Sequence, residues 1–274
     1  MRKLLIAVLV LLLIAAGLYF YARAEARFDP IVRTATIKLP NWPKGVKPIR
    51  AVLISDVHIG SHAMDEARLD RIVDQINALD PDIVLMAGDF IYGHDPQGAR
   101  KKGAGLVAPL LRLHPPLGVV AVLGNHDHWT GEADVRSLLA KARVTVLEND
   151  VTARGPLAIG GVGDDYSKHA NVAATIAKLR PFAGARIILT HSPDIAPDLR
   201  KDVRLLLAGH THCGQVVLPL YGAVTSVSRY GERYRCGLKI EPGRAVVVTA
   251  GLGTSGPALR FGAPPDLWLI TLGP

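Results

Sequence analysis

The stretch VVAVLGNHD, residues 119–127, joins a short apolar run to a glycine and three polar residues. The run 119–123 is too short for a helix and is rich in valine, which is typical of a strand buried on both faces. Asn125, His126 and Asp127 follow at its carboxyl end, where open α/β folds bind their ligands. The stretch therefore predicts a strand that carries polar side chains to one edge of a sheet.

Four further apolar runs end in polar residues of the same kinds. They are 51–54 before Asp56 and His58, 83–86 before Asp89, 187–189 before His191, and 203–207 before His210 and His212. Amphipathic patterns at 65–79, 133–142 and 171–180 alternate with these runs, which predicts an α/β domain with a largely parallel core. We expect the polar side chains to converge at one edge, because the carboxyl ends of parallel strands share it. The apolar runs after residue 215 lack helices between them and predict antiparallel additions or a second sheet.

The residues at these strand ends are the ligand types that divalent metals prefer. Carboxylate oxygens and imidazole nitrogens bind borderline divalent ions, and a single closed site needs only four ligands. The chain offers more than one ion can use, without a CxxC or HExxH pattern. Any one of these residues alone would more often be a cap or a solvated loop residue. Together they indicate two ions that share one aspartate, an arrangement suited to phosphoryl transfer.

The motifs resemble those of the calcineurin-like metallophosphoesterase superfamily. The matching motifs are Asp56-x-His58, Gly88-Asp89, Gly124-Asn125-His126-Asp127, His191 and Gly209-His210-x-His212, within residues 50–212. The tail from Gly251 to Gly256, with Arg260-Phe261-Gly262, resembles a membrane-anchored bacterial branch of phosphodiesterases. That branch includes enzymes similar to UDP-2,3-diacylglucosamine pyrophosphatase. The resemblance implies an α/β fold in which two mixed β-sheets form a sandwich flanked by helices.

The resemblance also implies a role for each motif residue. One divalent ion (Mn, Fe, Zn or similar) would take Asp56, His58, Asp89 and His212, and a second would take Asp89, Asn125, His191 and His210. Asp89 would therefore bridge the two ions. His126 would act near the phosphate and protonate the leaving group, and Asp127 would orient His126 and fix its tautomer.

Residues 1–24 predict a membrane anchor. Leu4–Tyr21 carries no charged side chain, and as a helix it would span about 27 Å, close to the hydrocarbon thickness of a bilayer. Aromatic and then basic residues follow it, as at a membrane interface. Ala22-Arg23-Ala24 also fits a signal-peptide cleavage site, although the apolar run is longer than such peptides usually have. Prolines at 40, 43 and 48 predict a basic linker at 25–49 and a catalytic domain at 50–274.

The chain has a net charge of +8, and residues 1–50 supply +7 of it, with nine basic and two acidic residues. The remainder is nearly neutral, which disfavours nucleic acid as a partner. The basic residues around the apolar run suit a bacterial cytoplasmic membrane instead. The positive-inside rule weakly favours a catalytic domain on the cytoplasmic face. The oligomeric state stays open.

Basic and aromatic residues in two later segments, 93–105 and 221–237, suit a pyrophosphate or nucleotide. Arg229 and Tyr230 are candidate substrate contacts, and His128 lies just beyond the metal-binding motif. The remaining histidines are expected in surface loops; they are His62, His94, His114 and His169. Cys213 is interpreted as an apolar filler rather than a ligand.

The predicted function is hydrolysis of a phosphodiester or pyrophosphate bond in a small substrate. A lipid-linked or nucleotide-sugar compound, such as UDP-2,3-diacylglucosamine, fits an enzyme held at a membrane. One alternative is a phosphomonoesterase that acts on nucleotides or phosphoproteins with the same metals. A second is a membrane-bound metal-binding scaffold without catalysis, which would not need His126 and Asp127 intact.

Overall fold

Two mixed β-sheets form the centre of the computed structural model, which describes residues 1–200 and 202–274. The first sheet has the spatial order β1 (Ile31–Lys38), β14 (Asp266–Gly273), β2 (Ile49–Ile54), β3 (Ile83–Ala87), β4 (Val119–Val122) and β5 (Thr145–Val146). The second has the order β12 (Gly237–Glu241), β13 (Arg244–Val248), β9 (Leu205–Ala208), β8 (Ala185–Leu189), β7 (Leu157–Gly161) and β6 (Asp150–Arg154). A small hairpin joins β10 (Val217–Leu218) to β11 (Gly222–Ala223).

The two sheets pack face to face, and helices cover their outer faces. Alternation along β2 turns Leu53 into the core between the sheets and Val52 towards the helices. The helices are α1 (Arg2–Glu25), α2 (Glu66–Ala78), α3 (Gly98–Lys102), α4 (Ala104–Leu111), α5 (Asn125–Trp129), α6 (Glu132–Lys141) and α7 (Val172–Leu179). α2, α4 and α6 pack on the first sheet, and α7 packs on the second. The predicted sandwich of two mixed sheets flanked by helices is confirmed.

The five predicted strands divide between the two sheets, so the expectation of one shared sheet edge is wrong. β2, β3 and β4 lie parallel in the first sheet, whereas β8 and β9 lie parallel in the second. Their carboxyl ends still meet, because the sheets stack with these ends on the same side. His191 Nδ1, just after β8, lies 2.6 Å from the carbonyl oxygen of Ala87 at the end of β3. The site therefore lies across the end of the sandwich.

The segment predicted as a linker contains an edge strand of the first sheet. β1 pairs in parallel with β14 over its whole length, from Ile31 opposite Asp266 to Lys38 opposite Gly273. The chain therefore enters the first sheet at Ile31, before the boundary predicted at residue 50. Local composition did not reveal this strand, since its pairing partner is the last strand of the chain.

The N-terminal helix α1 is long and apolar enough to cross a membrane, with a mean hydropathy of 2.7 over its most apolar window. A signal sequence near the N-terminus would pass the same test. The last turn of α1 packs on the sandwich, where Ala22 and Glu25 are buried. The Arg260 backbone N–H donates to the Ala22 carbonyl at 2.9 Å, and the Tyr21 ring lies 5.9 Å from that of Phe261.

Cys213 forms a disulfide with Cys236, with the two Cα atoms 4.7 Å apart. The expectation that Cys213 is an apolar filler is therefore wrong. The bond closes a loop that begins one residue after His212 and contains the β10–β11 hairpin. Sequence spacing alone did not indicate this pairing. The two cysteines come together only in the fold, through the hairpin and a short 3-10 helix at Gly231–Tyr234.

Candidate metal centre

The backbone at the strand ends takes an uncommon conformation. Five of the predicted ligands have φ between 49° and 71°, namely Asp56, His58, Asp89, His210 and His212. Residues other than glycine rarely adopt this left-handed region, and such strain persists mainly where function requires it. The turns aim all five side chains into one buried volume at the end of the sandwich.

Two glycines allow the strand-end loops to approach each other closely. A Cβ on Gly88 would lie 2.6 Å from the Gly124 backbone nitrogen, and one on Gly251 would lie 2.6 Å from Asp56 Cβ. Both glycines also have positive φ, at 84° and 74°. The loop that carries Asp89 therefore packs at backbone distance on the loop that carries Asn125, and the Gly251 segment packs as closely on Asp56, which leaves no room for larger residues at either glycine.

A first group of donor atoms comes from Asp56, His58 and His212. His212 Nε2 lies 3.3 Å from both His58 Nε2 and Asp56 Oδ1. All three side chains are buried. Three donors this close around one point form a candidate cation site.

A second group comes from His191 and His210, with Asp89 between the groups, and Asn125 lines the same cavity with its Oδ1 buried and unpartnered. Asp89 Oδ2 lies 3.2 Å from His191 Nε2 and 3.5 Å from His58 Nε2. His210 Nδ1 lies 3.1 Å from His191 Nε2. The structure thus brings all seven predicted ligands together, with the Asp89 carboxylate in contact with both groups.

Unsatisfied buried atoms indicate that the centre is built for cations. Asp56 Oδ1 and Asn125 Oδ1 are buried without a hydrogen-bond partner. Buried polar atoms normally have partners, so each orphan needs an explanation. Two carboxylates, four imidazoles and an amide oxygen form a donor set that borderline divalent ions accept. The residues present therefore fit two divalent metal ions.

Burial and mutual charge set the protonation of the centre. Burial lowers the pKa of His58 to about 3 and that of His210 to about 3, so both imidazoles are neutral at physiological pH. Burial raises the pKa of Asp56 to about 6. Burial opposes ionisation of Asp89 too, but His191 and His126 outweigh it and hold the Asp89 pKa well below its usual range. The Asp89 carboxylate in turn raises the pKa of His191 well above its usual range against the effect of burial, so His191 must lose its proton when a metal binds.

Asp127 orients the Asp89 loop and makes no hydrogen bond to the ring of His126. Its carboxylate accepts the backbone N–H groups of Asp89, Phe90 and Gly124 at 2.8–2.9 Å. Burial, followed by the nearby Asp89 charge, raises the pKa of Asp127 to about 7. The prediction that Asp127 fixes the His126 tautomer is therefore replaced by a role in positioning the bridging aspartate.

The Gly93 carbonyl sets the tautomer of His126. His126 Nδ1 lies 2.7 Å from this oxygen, which can only accept, so Nδ1 carries the hydrogen and donates it. Nε2 lies 3.3 Å from Ser255 Oγ, beside the cavity. His126 is therefore oriented with Nε2 towards the space above the metal ligands.

The predicted substrate contacts Arg229, Tyr230 and His128 lie outside the cavity over the centre. Arg229 pairs with Asp165 and donates its backbone N–H to Asp194. Tyr230 packs edge-on against Tyr234. His128 contacts Glu132 and stacks on His169. These three side chains contact other residues of the protein outside the cavity. The composition of their segments did not reveal these contacts.

Four residues that sequence reasoning missed line the cavity beside His126. They are His94, Trp129, Tyr166 and Ser255. His94 lies in an exposed loop, as expected, and its ring stacks on Trp129 with centroids 4.7 Å apart. The Tyr166 ring lies 4.6 Å from that of His210. Trp129 follows the GNHD motif by two residues, and this short spacing could have indicated that it lies near the metal centre. Tyr166 lies in a separate loop, and no feature of the sequence indicated its position.

Proteins similar in sequence to this chain are metallophosphoesterases, which agrees with a candidate metal centre at these residues. The sequence profile described as calcineurin-like phosphoesterase matches residues 49–214. The chain belongs to the calcineurin-like phosphoesterase family. It is similar to an uncharacterized metallophosphoesterase of Aquifex aeolicus (strain VF5), with 32% identity over 94% of this chain and 97% of the relative. It is also similar to a "transmembrane protein with metallophosphoesterase domain" of Danio rerio, with 31% identity over 95% of this chain and 61% of the relative.

A crystal structure of a dimetal phosphatase from Danio rerio shares the fold. The TM-score is 0.50 at 13% identity, over 78% of this chain and 90% of that chain. Calcineurin-like phosphoesterases use a dimetal centre, and the clustered aspartates and histidines here fit one. This chain is therefore a metal-dependent phosphoester hydrolase.

Asp89→Asn should release both metals, because the Asp89 carboxylate contacts both donor groups. We expect metal content, measured by plasma mass spectrometry on the purified full chain, to fall from about two ions to below one. Asp194→Asn is the matched control, since Asp194 is equally buried but binds Ser228 and Arg229 outside the centre. Full metal content in Asp89→Asn would contradict its bridging position.

We expect Asp127→Ala to lower metal affinity and His126→Ala to lower turnover. Loss of the Asp127 carboxylate frees the Asp89 loop, so metal affinity should fall by about 10–100-fold. His126→Ala should keep both metals and lose about 10²–10⁴-fold in turnover, as expected when a proton donor is removed. Metal titration followed by turnover at saturating Mn²⁺ separates the two. If Asp127→Ala kept wild-type metal affinity, Asp127 would not position Asp89.

Proposed function

We propose that one ion binds Asp56, His58, Asp89 and His212, and that a second binds Asp89, Asn125, His191 and His210. When bound, such ions supply Lewis acidity that polarises phosphoryl oxygens and makes nearby water more acidic. The distances among the donor atoms and the unpartnered oxygens of Asp56 and Asn125 support this assignment.

His126 acts on the leaving group in this proposal. Its Nδ1–H donates to the Gly93 carbonyl, which orients the ring and stabilises an imidazolium. A proton on Nε2 then faces the cavity, where the leaving oxygen needs one. Ser255 Oγ, 3.3 Å from Nε2, limits how far the ring can turn.

We infer that the substrate is a phosphodiester or pyrophosphate. The observation that carries this inference is the cavity wall, in which the described lining residues include neither lysine nor arginine. A phosphomonoester carries close to two negative charges on its one phosphorus at neutral pH, whereas each phosphoryl group of a diester or of a disubstituted pyrophosphate carries one and needs less protein charge. His94, Trp129 and Tyr166 supply an aromatic wall for a flat or apolar group on the leaving side.

A lipid-linked or nucleotide-sugar substrate, such as a UDP-diacylglucosamine, fits the attachment of α1. Gly251 packs against Asp56, and its segment continues to Arg260 and Phe261. These two residues contact the last turn of α1. A membrane-spanning α1 would therefore hold the centre close to the bilayer surface. The cavity of about 250 Å³ holds the phosphoryl group that reacts, while the rest of the headgroup extends out of it and the acyl chains stay in the membrane.

The disulfide supports a catalytic domain on the oxidising side of that membrane. Disulfides persist in exported proteins and are rare in the cytosol. This observation on Cys213 and Cys236 opposes the weak preference of the positive-inside rule for the cytoplasmic face. The anchor then leaves its amino end in the cytoplasm, with Arg2 and Lys3 beside it.

The diester proposal predicts a preference between two chromogenic substrates. The full chain in detergent with Mn²⁺ should turn over bis-p-nitrophenyl phosphate at least about tenfold faster than p-nitrophenyl phosphate, because the diester carries less charge into a cavity without cationic side chains. Trp129→Ala should raise KM for the diester, while Trp42→Ala should not, because the Trp42 ring N–H donates to the Val46 carbonyl and does not line the cavity. A faster monoester reaction would favour the phosphomonoesterase alternative.

The proposed side of the membrane predicts the thiol state in a bacterial host. Acid-trapped full chain should react with maleimide-polyethylene glycol only after reduction, and then twice, because both cysteines are joined in an oxidising compartment. Cys213→Ser should show one free thiol without reduction and serves as the control. Two free thiols in the trapped wild-type chain would place the domain on the cytoplasmic side.

A further inference from the structure

An exposed apolar hairpin lies within the disulfide-closed loop from Cys213 to Cys236. Leu218, Leu220, Tyr221 and Val224 are all exposed around the turn between β10 and β11. Leu220 is 111% and Tyr221 is 74% exposed, so both side chains make little contact with the described residues. Single exposed apolar residues are ordinary, whereas a run of four marks an interaction surface.

The hairpin starts beside the end of α1. The Val217 backbone N–H donates to the Phe261 carbonyl at 2.7 Å. The Phe261 ring lies 5.9 Å from that of Tyr21, and the Gly262 N–H donates to Glu25 of α1 at 3.3 Å. The hairpin tip is only about 10 Å of extended chain away from this contact. If α1 spans a membrane, Tyr21 lies at its interface and the hairpin tip is within reach of the same surface.

The same loop forms part of the cavity wall. Thr225 and Val227, just after β11, line the cavity together with Gly214 and Gln215 at the start of the loop. His212, a proposed ligand, directly precedes Cys213. The loop therefore connects the metal centre at one end to the apolar hairpin at the other.

We propose that the β10–β11 hairpin inserts its apolar tip into the headgroup region of the bilayer that α1 crosses. The hairpin and α1 then fix the domain at two points, with the cavity entrance beside the bilayer surface. A phosphoester carried by a membrane lipid enters between Val227 and the hairpin without leaving the bilayer. This inference rests on the proposed membrane anchor and identifies the bilayer as the source of the substrate.

Tryptophan placed at the hairpin tip tests the contact. The full chain carrying Tyr221→Trp is reconstituted in vesicles of phosphatidylcholine and phosphatidylglycerol whose acyl chains are brominated. We expect the brominated chains to quench roughly half of the emission that this variant adds over wild type, because an interfacial residue sits at the headgroup–acyl boundary. Ile240→Trp, on the exposed face of β12, is the matched control and should stay unquenched, since Ile240 is 75% exposed but away from the hairpin.

Each outcome bears on the inference. An unquenched Tyr221→Trp in a chain that floats with the vesicles would overturn the hairpin contact and leave the anchor intact; a second copy or another protein would then be the occupant. Equal quenching of Ile240→Trp would also overturn it. A chain that does not float would overturn the anchor and the hairpin contact together. Turnover of bis-p-nitrophenyl phosphate by the same samples tests the proposed reaction separately, because Tyr221 does not line the cavity.

Discussion

Face-to-face packing of the two sheets brings the ends of β2, β3 and β4 against the ends of β8 and β9. The core between the sheets is built from residues such as Leu53 and Leu85 on one side and Ile187 and Leu207 on the other. Burial of this apolar surface holds the sheets together. The donors of both candidate metal groups depend on it, since Asp56, His58, Asp89 and Asn125 come from the first sheet and His191, His210 and His212 from the second.

Such a cluster is costly to bury without ions. Asp56 and Asp89 place two carboxylates in one buried region, and burial raises the pKa of Asp56 to about 6. Orphaned oxygen and nitrogen atoms add to this cost. The hydrophobic core must offset it in the absence of metal, and ions that bind only the folded state would stabilise the protein further.

Two buried arginines connect the centre to the rest of the fold. Arg260 donates to the carbonyls of Ala250, Gly253 and Ala263, each at 2.7 Å, and Arg68 donates to that of Leu252 at 2.9 Å. Burial lowers the pKa of each guanidinium to about 10, so both keep their charge at neutral pH. They hold the glycine-rich segment behind Asp56 in place, and that segment meets α1 and the hairpin.

Sequence alone singled out the residues that the fold gathers at the candidate metal centre, because apolar runs followed by aspartate and histidine are local patterns that can be recognised without the fold. It also predicted the helices near 65–79, 133–142 and 171–180 to within a few residues, since their apolar spacing is local too. Only tertiary structure decided that β1 joins the first sheet through β14, that Gly93 rather than Asp127 sets the His126 tautomer, and that Cys213 meets Cys236. It also placed Arg229 and Tyr230 away from the cavity and His94 within it. These features depend on contacts between segments far apart in the chain, and no local pattern encodes which distant partner a strand, a ring nitrogen or a thiol will meet.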